Sequence, residues 1–308
     1  MLRSVVFTLA FMLLPSTTLP AVEGPPAAAD EAAAVKTVDH HQLAPVINDR
    51  WGFYLGGYLA DFKTDAAVGS GNFIGAVIRA EDELGLNADD STFRAEFYAR
   101  FNDRHGIEGS LWSLSRTGSA ILDQEIEWDD LIFTAEASVD STWDTALVRL
   151  AYKYSMVNNG RTEAGLTVGL STYSFDLTLE GLATIRSPSG DGPVILPGEE
   201  IPEFVRSEEE VLAPVPTLGI FLKHAMHRRL HFLASVDFFD VTISDFEGNL
   251  LDASFGIEWY FSRHAGFGIG TNTTNIDVRK TGGESYKIDY TQSGLVGYFT
   301  FTFGKIAR

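Results

Sequence analysis

The sequence predicts an all-β chain that closes into a transmembrane, antiparallel up-and-down β-barrel of about ten strands, with eight or twelve as alternatives. Three observations carry that expectation. From Trp51 onward, segment after segment alternates with a period of two, so each has two chemically different faces. The segments are long: where soluble sheets favour ~5–6 residues per strand, a tilted strand needs ~9–11 to cross a bilayer. The connections between them alternate between tight turns and long stretches, as turns at one rim of a barrel and loops at the other require.

The chain opens on Met1-Leu2-Arg3 and the apolar run VVFTLAFMLL, followed by Pro15 and a Ser/Thr/Pro stretch. Residues 1–21 therefore read as a secretory signal peptide. No later run approaches the ~18 apolar residues of a transmembrane helix. Residues 22–50, rich in Ala, Pro and acids, read as a flexible leader, and 51–304 as the barrel. The absence of cysteine excludes disulfides and thiolate metal sites.

Ten alternating segments lie near 51–62, 92–102, 106–117, 142–156, 162–176, 214–224, 230–243, 250–262, 265–279 and 287–303. In FRAEFYARF, Phe93, Ala95, Phe97, Ala99 and Phe101 share one face, and Arg94, Glu96, Tyr98 and Arg100 the other. TALVRLAYKY, DASFGIEWYF and LVGYFTFTF sort in the same way. Tight turns at NDR, NNGRT, AMHRR and SR alternate with loops near 63–91, 118–141, 177–213, 244–249 and 280–286. A soluble sandwich with the apolar face inward would alternate equally well. Strand length, aromatics gathered beside the turns (Trp51, Phe53, Phe101, Tyr152, Phe261, Phe303) and the sparse, Gly- and Thr-rich charged face favour the membrane.

With the apolar face outward, the lumen receives Arg94, Glu96, Arg100, Glu108, Arg116, Arg149, Lys153, Lys223, Asp237, Asp252 and Glu258. A turn centred on Arg104 sets Phe101 opposite Ile107 and Arg100 opposite Glu108. Glu258 and Lys153 are expected to face each other across the lumen near the turn rim. Balanced charges in a narrow lumen must pair to be tolerated. They form either a structural plug or a polar, cation-favouring path for small solutes.

The formal net charge of −19 is local: the loops 63–91, 118–141 and 177–213 hold 21 acids against 4 bases. Clusters such as EIEWDD and EEE suit weak association of divalent cations, or simply solvated surface. Arg104, Arg161, Arg228, Arg229 and Arg263 fall in or beside the tight turns, where they either meet phosphates of the inner leaflet or stay solvated. Nothing points to a cofactor, a resident metal or nucleic-acid binding, and no G-x-S-x-G, H-E-x-x-H or phosphate loop occurs. His231 and Ser235 share a face but lie ~13 Å apart along a strand, so they form no dyad.

The segments RAEDELGLNADDSTFRAEFYARFNDRHGIEGSLWSLSRTGS, LVRLAYKYSMVNNGRTEAGLTVGLSTYSFDL and LLDASFGIEWYFSRHAGFGIGTNTTNIDV resemble a proteobacterial family of outer-membrane β-barrel proteins without an assigned activity, small barrels of the OmpA-like or porin-like kind. The resemblance covers about Arg79 to Phe303. It implies an outer-membrane location, a leader in the periplasm, and lipids, lipopolysaccharide and the barrel assembly machinery as partners. It brings no catalytic residues. One departure is visible: such barrels often end on an aromatic residue, whereas GKIAR follows Phe303 here. The expected role is structural or interactive at the outer membrane. Passive permeation is the alternative, and a barrel enzyme the second alternative.

Overall fold

The computed structural model describes residue 47 and residues 49–70, 77–128, 131–185, 203–282 and 284–305. Residues 1–21, expected to be a signal peptide, and nearly all of the expected leader 22–50 lie outside the described residues. In chain order the elements are β1 (Asp49–Ser70), β2 (Ile78–Arg79), α1 (Ala80–Glu83), β3 (Asp89–Arg100), β4 (His105–Ile121), β5 (Ile126–Trp128), β6 (Leu131–Phe133), β7 (Ser138–Asn158), β8 (Thr162–Ile185), β9 (Glu203–His227), β10 (Leu230–Ile243), β11 (Phe246–Tyr260), β12 (Ala265–Lys280) and β13 (Glu284–Lys305). The short strands β2, β5 and β6 are accessory. The other ten pair antiparallel in chain order, and β13 returns to β1 from Asp49 opposite Lys305 to Ser70 opposite Glu284. The ring is therefore closed, an up-and-down barrel with no free long edge among the described residues.

The ring strands turn their large apolar residues outward. On β1 these are Trp51, Phe53, Leu55 and Leu59; on β13, Leu295, Phe299, Phe301 and Phe303; on β7, Val148, Leu150 and Tyr152. The inner face of the same stretches carries Gly, Thr and charged residues. Towards the loop rim the pattern inverts. On β8 the outward Leu166, Val168 and Leu170 give way to Asp176 and Glu180, while Phe175, Leu177 and Leu179 turn inward and are buried. On β9 the outward positions become Glu208 and Glu210, and Val211, Ala213 and Val215 point in. The same switch gives Ile288 and Tyr290 inward on β13, and Ile276 and Val278 inward on β12. One half of the barrel is thus apolar outside and polar inside, and the other half has the reverse arrangement of a water-soluble barrel. At about 3.3 Å per residue, the 24 residues of β8 run about 80 Å along the strand, far beyond what an apolar layer ~30 Å thick requires.

Several sequence expectations need correction. The stretches 63–91 and 177–213 are not simply loops, because β1 continues to Ser70, β8 to Ile185, and β9 starts at Glu203. The connection expected at 244–249 is a tight turn at Ser244 and Asp245. Short and long connections therefore do not alternate strictly. The strand expected from residue 51 starts at Asp49. The turn between β3 and β4 sets Arg100 opposite Gly106 and Tyr98 opposite Glu108, two residues away from the expected register. A slip of two keeps every side chain on its face, which is why the inward set is unaffected.

The inversion yields a test on the outer face. Leu150 is 55% exposed in the middle of the apolar belt of β7. Leu150→Arg is expected to cost about 2–4 kcal/mol when unfolding is measured in lipid vesicles, the range for a cation near the bilayer midplane. An exposed position in water would change by about ±0.5 kcal/mol at most.

Candidate functional site

The lumen falls into two layers. In the loop-rim half, α1 and the segments around β5 and β6 fold inward and pack on the upper strands. Ile78, Leu84, Leu122, Ile126, Trp128 and Phe133 are buried there against Trp143, Phe175, Leu179, Ile276 and Tyr290. Each large apolar side chain so buried contributes about 1.5–3 kcal/mol. Arg116 lies inside this layer with its side chain 1% exposed. It donates to Glu81 Oε1 at 2.7 Å, Thr64 Oγ1 at 2.7 Å and the Asn87 carbonyl at 3.2 Å, and its guanidinium lies 4.7 Å from the centre of the Phe62 ring. Glu81 in turn accepts from Thr64 N–H at 2.8 Å. Both terminal nitrogens are engaged and only Nε lacks a partner among the described residues, so Arg116 pins α1 into the barrel as a lid.

The turn-rim half holds the other ion pairs. Arg149 donates to Glu108 at 2.9 Å and to both oxygens of Asp237 at 3.0 Å, joining β4, β7 and β10 across the interior. Lys153 reaches Glu108 at 3.7 Å and Glu163 at 3.9 Å. Arg100 pairs with Glu163, whose other oxygen accepts from Ser155 Oγ at 2.7 Å. Lys223 pairs with Glu258 at 2.9 Å, and Tyr260 donates to the same carboxylate at 3.0 Å. Arg94 meets Glu96 on its own strand at 2.5 Å. Asp252 accepts from Asn272 at 3.2 Å and from Thr274. Between these groups lies a cavity of ≈ 200 Å³ lined by, among others, Tyr54, Arg94, Arg149, Tyr173, Asp237, Asp252 and Tyr298.

Sequence reasoning placed Glu258 against Lys153, but its partner is Lys223. It passed over Glu163, although the signal was present: Glu163 has the parity of Gly165, Thr167 and Gly169, opposite to Leu166, Val168 and Leu170. It also passed over the tyrosines. The Tyr98 ring lies against Gly52 and the Tyr298 ring against Gly268, where a Cβ would strike the ring. Those glycines let aromatic rings lie against the wall and leave the centre to the charges.

The turn-rim mouth is also engaged. Ile47, two residues before β1, is 4% exposed. Its carbonyl accepts from Arg100 at 2.7 Å, and its N–H donates to the Gly160 carbonyl at 3.4 Å, in the turn between β7 and β8. Ile47 thus reaches across to a hairpin that does not adjoin β1. Among the described residues, no group of three or more His, Asp or Glu side chains is placed to hold a metal ion. His224 meets Thr162 at 2.8 Å, whereas His231 turns inward against Tyr260.

Fold and site together define a ten-stranded transmembrane-type β-barrel whose lumen is filled by an apolar layer and a layer of ion pairs. No family model matches the chain, and no curated protein matches it in sequence. Among solved structures it is similar to the outer-membrane protease OmpT of Escherichia coli (10% identity, TM-score 0.48, covering 84% of this chain and 98% of that one). It is also similar to the toluene transporter TodX of Pseudomonas putida (10%, 0.34, 84% and 93%) and to the attachment invasion locus protein Ail of Yersinia pestis (10%, 0.31, 81% and 99%). The barrel assignment here rests on the chain's own closed ring.

The ion-pair layer predicts asymmetric mutational costs. Arg149→Met leaves Glu108 and Asp237 short of a cation inside the barrel and is expected to cost about 3–5 kcal/mol in urea unfolding. Arg206→Ala, which breaks the exposed pair with Glu180, is expected to cost about 0–1 kcal/mol.

Proposed function

We propose that this protein is an outer-membrane barrel with a structural or surface-interaction role and a lumen that does not conduct. The observation that carries the reading is the packed apolar layer in the loop-rim half: a solute path would have to cross Trp143, Phe175 and Tyr290, all buried against one another. The ion pairs below serve as a rigid internal brace. The outward apolar belt, with Trp51, Phe101, Trp259 and Phe303 close to the turn rim, supports a bilayer setting with the turns in the periplasm. Arg104, Arg161, Arg228, Arg229 and Arg263 are exposed at that rim, at the level where phosphate headgroups would lie. The strand tops, standing clear of the belt, offer a rigid polar surface to partners outside the cell, lipopolysaccharide among them.

In planar bilayers the full chain is expected to give no steady current. A stable cation-selective conductance that changes in Glu258→Ala would establish the permeation reading instead.

The outer surface just above the belt carries a row of carboxylates. Asp144 pairs across to Asp176, and Asp176 to Glu210. Burial, followed by Glu210, Asp144 and Glu208, raises the pKa of Asp176 above its usual value. Divalent cations would relieve that repulsion. Millimolar Ca²⁺ is expected to raise the melting temperature and slow proteolysis of the native chain, and to do so less in Asp176→Asn. No change in either measurement would remove divalent cations from the account.

A further inference from the structure

The lumen ion pairs leave one carboxylate over. Among the described residues, Arg94, Arg100, Arg149, Lys153 and Lys223 engage Glu96, Glu108, Glu163, Asp237 and Glu258, whereas Asp252 belongs to no ion pair. It is held only by the neutral groups of Asn272 and Thr274. Its position sharpens the imbalance. Asp237 on β10 and Asp252 on β11 are direct cross-strand partners, and both line the cavity. Like charges directly opposite on paired strands destabilise each other, and a charge inside a barrel without a counter-ion costs more again. Arg149 reaches both oxygens of Asp237 through Nη2 and Glu108 through Nη1, while its Nε has no partner among the described residues, and it acts on Asp252 only at a distance. Arg94 acts on Asp252 at a distance, but its ion pair is with Glu96.

The space in front of Asp252 fits a small guest. The cavity of ≈ 200 Å³ has room for several waters or for a cation of a few carbon atoms. Tyr173 lines the same cavity as Asp252. A carboxylate beside an aromatic face is the combination that recognises ammonium groups, through a charge-assisted hydrogen bond and cation–π attraction.

We propose that the lumen cavity is a binding site for a small ammonium cation, with Asp252 as its counter-ion and Tyr173 as its aromatic wall. The test uses the full chain folded in detergent at constant ionic strength, titrated calorimetrically with methylammonium chloride. Potassium chloride is the competitor, and Asp240→Asn, exposed on the outer surface of β10, is the control. One saturable site is expected in the native chain and in Asp240→Asn, weakened at least tenfold in Asp252→Asn and retained in Asp252→Glu. Methylammonium is also expected to raise the melting temperature of the native chain but not of Asp252→Asn. Absence of saturable binding to the native chain overturns the proposal whatever the variants do. So does equal binding by a folded Asp252→Asn, and displacement by equimolar potassium overturns the ammonium assignment.

Discussion

The rest of the structure depends on the seam between the first and last strands. In a hydrocarbon layer no water is present to bond a free N–H or C=O, so a sheet can cross only if its two edges meet. Here β1 and β13 pair along their whole lengths, from Asp49 and Lys305 at the turn rim to Ser70 and Glu284 at the loop rim. Strand β13 therefore runs past Phe303, and the residues that seemed to trail the last aromatic begin as part of the seam. Once the ring is closed, side-chain parity is common to all ten strands, and the apolar set of each must face either outward or inward.

The chain uses both solutions in succession. Near the turns the apolar set faces out and the lumen is left to charges, which remain tolerable because nearly all are paired in geometry set by neighbouring strands. Near the loops the apolar set faces in, and the barrel packs as a water-soluble protein would. The two halves stabilise each other. The packed layer keeps the ion pairs away from outside water, and cross-barrel links such as Arg149 to Asp237 hold the strands at the spacing that the packed layer requires. Arg116 belongs to the upper half although its parity matches that of the lower charges. Its partner Glu81 comes from an inserted helix, which strand alternation could not anticipate.

The same inversion explains how much was legible in the sequence. Alternation around Phe93 to Phe101, Thr145 to Tyr154 and Leu295 to Phe303 is uniform, so strand number and inward parity were readable there. On β8 the apolar residues change parity between Leu170 and Tyr173, and the alternation ceases to look like one strand, which is why the upper parts of β1, β8 and β9 read as acidic loops. The Arg100–Glu108 pairing failed for another reason: turn geometry, not alternation, decides between registers two residues apart, and both registers satisfy the same faces. Glu163 was legible by parity and was passed over because it stands at the very start of its strand.

The central claim is that one continuous strand passes from a lipid-facing to a water-facing environment with its outward parity unchanged. The chain contains no cysteine, so single cysteines on β8 report without background. Val168→Cys and Glu180→Cys both face outward, one within the apolar belt and one above it. In lipid vesicles a membrane-impermeant maleimide is expected to label the cysteine at 180 rapidly and to leave that at 168 unmodified until the protein is unfolded. Equal labelling of the two in the folded protein would contradict the membrane-spanning account.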